Sequence, residues 1–236
     1  MIKRDKKITI LTNFVLVMIF TVVFLISFLP QTSVPIYGGK RLDAIYNGNR
    51  NNSNVSLMFN VYENTEIVNS IIDTLNAYSV KATFFVGGCW ADDNENTLKR
   101  IVSEGHELAN HGYFHKDHKK LSYEVNRQEI ENNGIIVKAL CGVEMDLFAP
   151  PSGSFSETTL DVCYDLGYKL IMWSKDTIDW RDKDSSKVFE RATKNLTNGD
   201  LILMHPKAHT LQALPKILEY IEQSGYKAVT VSENIA

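Results

Sequence analysis

The sequence predicts an α/β fold of parallel strands, and three observations carry that reading. Short apolar or β-branched runs recur along residues 55–236, amphipathic segments lie between most of them, and glycine, serine and aspartate punctuate the joins. Strand, helix, strand repeated in this way implies parallel pairing, because a crossover helix returns the chain to the same edge. Closure into a barrel is the economical arrangement, although an open doubly wound sheet has the same local pattern.

The first run, VSLMFNV (55–61), is followed by Ile67, Val68, Ile71, Ile72 and Leu75 at helical spacing. Six further runs read as strands: KATFFVG (81–87), HELAN (106–110), LFA (147–149), YKLIMW (168–173), LILMH (201–205) and KAVTV (227–231). Leu214, Ile217, Leu218 and Ile221 mark the last long helix. Gly105, Gly167 and Gly225 each follow a helical stretch where a left-handed cap is wanted, and Ser156 and Asp184 stand where an N-cap side chain accepts free amides.

Ahead of this pattern the chain changes character. Lys3, Arg4, Lys6 and Lys7 face only Asp5, and then Ile8 to Leu29 carries no charge at all. A helix of that length crosses about 30 Å of hydrocarbon, and the basic residues before it favour a cytoplasmic N-terminus. A cleaved signal peptide has a shorter apolar region, roughly 7 to 15 residues, and an A-x-A-like cleavage site, neither of which fits. Residues 1–30 are therefore expected to be a basic tip and transmembrane anchor. Residues 31–54, rich in Gly and Asn, read as a linker, and residues 55–236 as the folded domain on the extracytoplasmic side.

Composition narrows the function. The chain has 236 residues, 44% hydrophobic and 22% charged, which excludes disorder and a small stapled scaffold. Lys and Arg number 25 against 28 Asp and Glu, so no basic excess exists for nucleic acid. Cys89, Cys141 and Cys163 form no C-x-x-C pair, which argues against a thiolate zinc site and allows one disulfide at most.

In such folds chemistry gathers at the carboxyl ends of the strands. Asn60 and Tyr62 follow the first run, His111 and His115 the third, Pro151 and Ser152 the fourth, Asp176, Asp179 and Trp180 the fifth, and His205 ends the sixth. The H-x-x-x-H spacing lets two imidazoles converge on one ion. His106, His118 and His209 read instead as polar loop residues. His205, closing an apolar strand, needs a carboxylate such as Asp179 or Asp176 to hold its tautomer if it is to act as a general acid.

NHGYFH (110–115), FAPPSGSF (148–155), DTIDW (176–180) and LMH (203–205), in that order after KATFFVGG and EGHELANH, resemble the polysaccharide deacetylase family with its NodB homology domain, carbohydrate esterase family 4. The wording is similar to that of membrane-anchored members from spore-forming bacteria, sporulation-linked ones included. The resemblance implies a distorted barrel of seven strands and helices, preceded here by the N-terminal transmembrane helix. It also implies metal ligands at His111 and His115 for zinc or another divalent transition metal, a catalytic acid at His205 and an orienting aspartate at Asp179. Trp180 and Leu203 match the walls around an acetyl methyl, and Pro150 to Gly153 match the groove wall. The implied reaction is hydrolysis of N-acetyl groups on a cell-wall glycan, peptidoglycan or a chitin-like polymer.

The departures fall in two motifs. Where the family has T-F-D-D-G, this chain has Met58, Phe59, Asn60, Val61 and Tyr62, so the general base and the third metal ligand are both absent. The family arginine before the two prolines is Ala149, and losing it with its carboxylate partner avoids a buried unpaired charge. Three readings follow: a deacetylase in which Glu63 or Glu66 supplies the lost carboxylate, a glycan-binding pseudoenzyme, or a scaffold in an envelope or spore assembly.

Overall fold

The computed structural model describes residues 6–27 and 43–236. The chain divides into two units, Met1–Gly38 and Gly39–Ala236. In the first, α1 (Lys6–Ser27) is a helix of 22 residues whose Leu11, Phe14, Val17 and Phe20 side chains are all exposed. Among the described residues no helix is long and apolar enough to cross a membrane. The expected span runs on to Leu29, and residues 28 and 29 lie outside the described residues, as do residues 31–42 of the expected linker.

The second unit is an eight-stranded sheet of parallel pairs. Its strands are β1 (Asn54–Val61), β2 (Thr83–Val86), β3 (Glu107–Asn110), β4 (Leu147–Phe148), β5 (Lys169–Leu170), β6 (Lys175–Asp176), β7 (Leu201–Met204) and β8 (Lys227–Ala228). The order is β5-β4-β3-β2-β1-β7-β6, with β8 pairing β1. All seven expected runs contain a strand. The one that sequence reading missed is β6, two polar residues with no apolar run to announce them.

Helices α2 (Thr65–Ala77), α3 (Gly88–Asp93), α4 (Glu95–Ser103), α5 (Tyr123–Cys141), α6 (Glu157–Leu166), α7 (Ser185–Thr193), α8 (Ala208–Gln223) and α9 (Val231–Ile235) complete the unit. The expected caps hold: Ser156 forms a capping box on α6, Asp184 accepts from the amides of Ser186 and Lys187 on α7, and Gly167 ends α6 in the left-handed region.

The expected closed barrel is corrected to a half-barrel, because among the described residues β5 and β6 do not pair and remain the two ends of the sheet. Only residues 171–174 separate them, far too few for a crossover helix. Five residue steps span at most about 18 Å, so the two edges face one another across a narrow gap. Into it goes a segment expected as linker. The Ile45 amide donates to the Leu170 carbonyl at 2.8 Å and the Met172 amide donates to the Ile45 carbonyl at 2.8 Å. Asn47 bridges to Asp200, and the Gly48 amide donates to the Gly199 carbonyl at 2.7 Å. Folded structure thus reaches upstream of Val55 to at least Ala44, which packs on a buried cluster of β4, β5 and α6 residues.

Alternation along β1 sorts its side chains. Leu57, Phe59 and Val61 face outward, packing with Val68, Ile71, Ile72 and Leu75 of α2 in the large core beneath the helices. Met58 faces inward with Phe85, Ala109, Leu147, Ala149 and Ile171, which fill the sheet's concave side. Each such side chain contributes about 1.5–3 kcal/mol on full burial. That parity carries Asn60 to the open end of the concave side and turns Val61 away from it.

Candidate functional site

A cleft of about 310 Å³ opens at the carboxyl ends of the strands. Asn60 and Tyr62 reach it from the end of β1, His111 and His115 from the loop after β3, and Ser152 from the turn after β4. Trp173 and Asp176 come from either side of the gap, Trp180 from the loop after β6, and Leu203 and His205 from β7. The three histidines that sequence reading singled out therefore share one cavity. Three loop residues around the cavity, His115, Ser152 and Ile178, have left-handed backbones, φ 54°, 55° and 53°. For β-branched Ile178 this is a costly conformation, held by its amide donating to Asp176 Oδ1 at 2.7 Å.

The histidine loop rests on a buried polar spine from α5. Asn133 Nδ2 donates to the Val86 carbonyl at 2.8 Å and to Asn110 Oδ1 at 2.9 Å, and Asn110 Oδ1 also accepts the Gly112 amide. Glu129 Oε2 accepts the amides of Tyr113 and Phe114 at 3.1 and 2.8 Å. His111 is 1% exposed, and its Nδ1 lies 2.8 Å from the Ala149 carbonyl. A carbonyl only accepts, so Nδ1 carries the proton and Nε2 keeps its lone pair. The His111 and His115 rings stand 5.2 Å apart between centroids. Burial, and for His111 also the neighbouring His115, lowers both pKa values below the ordinary 6.5, so both rings are neutral near pH 7.

Among the described residues nothing completes a metal site around them. Val61, at the position of the family's third ligand, is fully buried in the outer core. Tyr62 lies over His115, 4.2 Å between centroids, and burial followed by the charge of Glu63 raises its phenol pKa, which keeps it protonated. Among the described residues no group of three or more His, Cys, Asp or Glu could hold an ion. Catalytic zinc normally takes three protein ligands, so this donor set does not fit the zinc site expected from sequence. Asn60 lies beside this gap in the ligand set, 2% exposed, with Oδ1 buried and unpartnered.

The opposite corner is complete. His205 Nδ1 donates to Asp179 Oδ1 at 2.7 Å, and Asp179 Oδ2 accepts both the His205 amide and Thr210 Oγ1 at 2.7 Å. His209 Nε2 donates to the Asp179 carbonyl at 2.7 Å. Burial alone would raise the Asp179 pKa, but the hydrogen bonds and charge of His205, with Thr210, outweigh it and lower the carboxyl below 3.8. The pair is thus an imidazole oriented by a committed carboxylate, suited to hand a proton from Nε2 to a group in the cleft. The two carboxylates proposed to replace the family's base do not face it. Glu63 is ion-paired with Lys207, Glu66 is exposed on α2, and neither lines the cleft.

Other expectations divide. Trp180, 55% exposed, Leu203 and Ser152 line the cleft as expected, whereas Pro151 is buried behind the wall and does not. His106 and His118, expected as solvated loop residues, are buried, and His209 buttresses Asp179. Sequence reading missed the lining role of Trp173, which Gly153 permits: a Cβ there would sit 2.7 Å from the Trp173 ring. It also missed Thr210 and the α5 spine, although the polar positions Asn126, Glu129 and Asn133 on the buried face of that helix were a usable signal. The three cysteines are free.

The polysaccharide deacetylase family model matches residues 47–171. Over 191 residues the chain is 34% identical to the YlxY protein of Bacillus subtilis, covering 81% of the chain but only 60% of that relative's length. It is 31% identical to a peptidoglycan-N-acetylglucosamine deacetylase of Bacillus cereus, covering 79% of the chain and 70% of the relative. Among solved structures, a carbohydrate esterase family 4 pseudoenzyme from Bacillus anthracis superposes with a TM-score of 0.80 at 32% identity, covering 82% of this chain and 69% of that one. A mutant of that pseudoenzyme, described as having restored enzymatic activity, matches equally well at 31% identity.

Proposed function

The chain belongs to the polysaccharide deacetylase family, and from that premise we propose that it binds an acetylated cell-wall glycan with its deacetylase activity weak or lost. The observation that carries this reading is the end of β1: a neutral Asn60 at the base position, and Val61, turned into the core, at the ligand position. General base assistance contributes about 10²- to 10⁴-fold, and a carboxamide cannot accept the proton of water at neutral pH. The Bacillus anthracis relative supports this, since it is a pseudoenzyme whose mutant regained activity. The competing reading, a working enzyme rescued by Glu63 or Glu66, needs a carboxylate that the cleft lining does not include: neither residue is among those that line it.

The reading includes a membrane anchor, with the domain on the outer side. Its support is the uncharged stretch Ile8 to Leu29 and the basic residues before it. Resistance of the full chain to alkaline extraction from membranes checks this part.

The central test measures retention of acetylated peptidoglycan fragments, and acetate release in the presence of zinc, by the parent chain and by Asn60→Asp with Val61→Asp. We expect the parent to retain the fragments and to release acetate no faster than zinc alone, and the double variant to gain about 10²-fold or more. Parent turnover equal to that of the double variant overturns the proposal.

A further inference from the structure

We infer that Tyr62 is a built-in cap on the histidine pair: its ring packs on both imidazoles and holds divalent metal off them, over and above the loss of the two acids. This goes beyond the glycan reading and stands independently of it, since it names the residue that decides whether the cleft takes up an ion.

Tyr62 stands where the family motif has glycine, so the chain adds a whole phenol ring beside the ligand set. That ring lines the cleft, and its centroid lies 4.2 Å from His115 and 6.3 Å from His111, whose own rings are 5.2 Å apart. The three rings form one cluster. The backbone that carries the phenol is tied on two sides. The Val61 carbonyl accepts the Gly87 amide at 2.8 Å, Asn64 Nδ2 donates to the Pro206 carbonyl at 3.0 Å, and Glu63 is ion-paired with Lys207. Residues 61–64 thus bridge the segments that follow β2 and β7, and the tyrosine has little freedom to swing out with its loop.

An ion held by His111 and His115 needs more than two imidazoles. Catalytic zinc takes three protein ligands and keeps a further position open to water, all within about 2.0–2.2 Å of the metal. A ring packed on the pair crowds the side from which those ligands and that water must come, so it has to be displaced first. The phenol does not replace a ligand. Its plane is inclined by 26° to His111 and 42° to His115, so it offers the pair its face and not its hydroxyl. Losing the acids and gaining the ring act in one direction: neighbouring carboxylates repel one another when no ion lies between them, whereas an aromatic ring packs on neutral imidazoles with no charge to desolvate.

The test is calorimetric titration of the full chain in detergent with zinc alone, comparing Asn60→Asp with Val61→Asp against the same pair carrying Tyr62→Ala or Tyr62→Phe. Removing the ring is expected to tighten zinc binding about three- to tenfold, the factor by which an aromatic contact resists displacement, or to permit uptake where the double variant shows none. Keeping a ring as phenylalanine should leave the double variant unchanged. Equal affinity with and without the ring, no uptake in any variant, or weaker binding with phenylalanine, which makes the hydroxyl a ligand, overturns the inference. A second measurement needs no acid restored: the rate at which diethyl pyrocarbonate modifies His115, followed by peptide mass mapping. That rate should rise from the parent to Tyr62→Ala by the same factor and stay level in Tyr62→Phe. An unchanged rate in Tyr62→Ala overturns the cap, and Tyr62→Ser takes its place if the alanine variant does not fold. Neither measurement contains a glycan, so failure of the glycan reading leaves both results intact.

Discussion

Two corners of one cleft have met different fates. Around His205 each oxygen of Asp179 has a partner: the ring and amide of His205 after β7 and the Thr210 hydroxyl of α8 on the carboxylate, and His209 of the same helix on the carbonyl. At the end of β1 the corresponding positions hold a carboxamide with an unpaired oxygen, a valine turned into the core, and a tyrosine stacked on His115. The first corner is bound into the fold by its own hydrogen bonds, so losing it costs stability. Acids at the second corner would be stabilised by a metal ion or by each other's partners, so replacing them together costs the fold little and the chemistry a great deal.

The sharpest way to break this contrast is to unmake the intact corner. Asp179→Ala should destabilise the domain by about 3–5 kcal/mol in urea unfolding, because it strands the buried groups that converge on the carboxylate. A loss below about 1 kcal/mol would mean the two corners are equally dispensable.

Acid sharpens it next. A histidine whose folded pKa is depressed leaves the unfolded chain binding more protons below pH 6.5, so stability falls as the pH drops from there, by about 1.4 kcal/mol per pH unit per such group. His111 and His115 behave this way, with buried His106, depressed to about 4, and His118 adding to the same slope. Asp179 acts in a different window: its pKa is lowered, so its contribution is complete above 3.8 and is lost only as the pH falls below that value. Unfolding curves between pH 7 and 4 should therefore report these four histidines and not Asp179, and His111→Gln should flatten the slope.

The smallest effect belongs to Asn60. Its oxygen has no partner to lose, so Asn60→Leu should change stability by less than about 1 kcal/mol in either direction, read from the same unfolding curves. A large loss would reveal a bond at the altered corner that the contrast leaves out.

Much of the framework was legible in the sequence because it rests on periodicity. The run at β7 is apolar over four residues, those at β1 and β2 are mostly apolar or β-branched, and the amphipathic patterns of α2 and α8 are regular. β6 was not legible, since Lys175 and Asp176 take their strand geometry from pairing with Ile202 and Leu203. For the same reason residues 45–48 read as linker: their order comes from distant carbonyls, not from local pattern. That His111, His115 and His205 share one cavity, with Asp179 on His205, was legible through motif order. Pro151 was misplaced, because facing a groove or lying behind its wall depends on a turn in which Ser152 adopts φ 55°.

The strand-like contacts of Ile45 and Asn47 also limit where the chain can be cut without exposing the sheet. A cut upstream of Asp43 keeps the strap that covers the free rim of β5. A cut beyond Arg50 strips it and leaves that rim open to pairing with another chain. Truncated forms that begin before the strap should therefore stay monodisperse, and those that begin after it should aggregate.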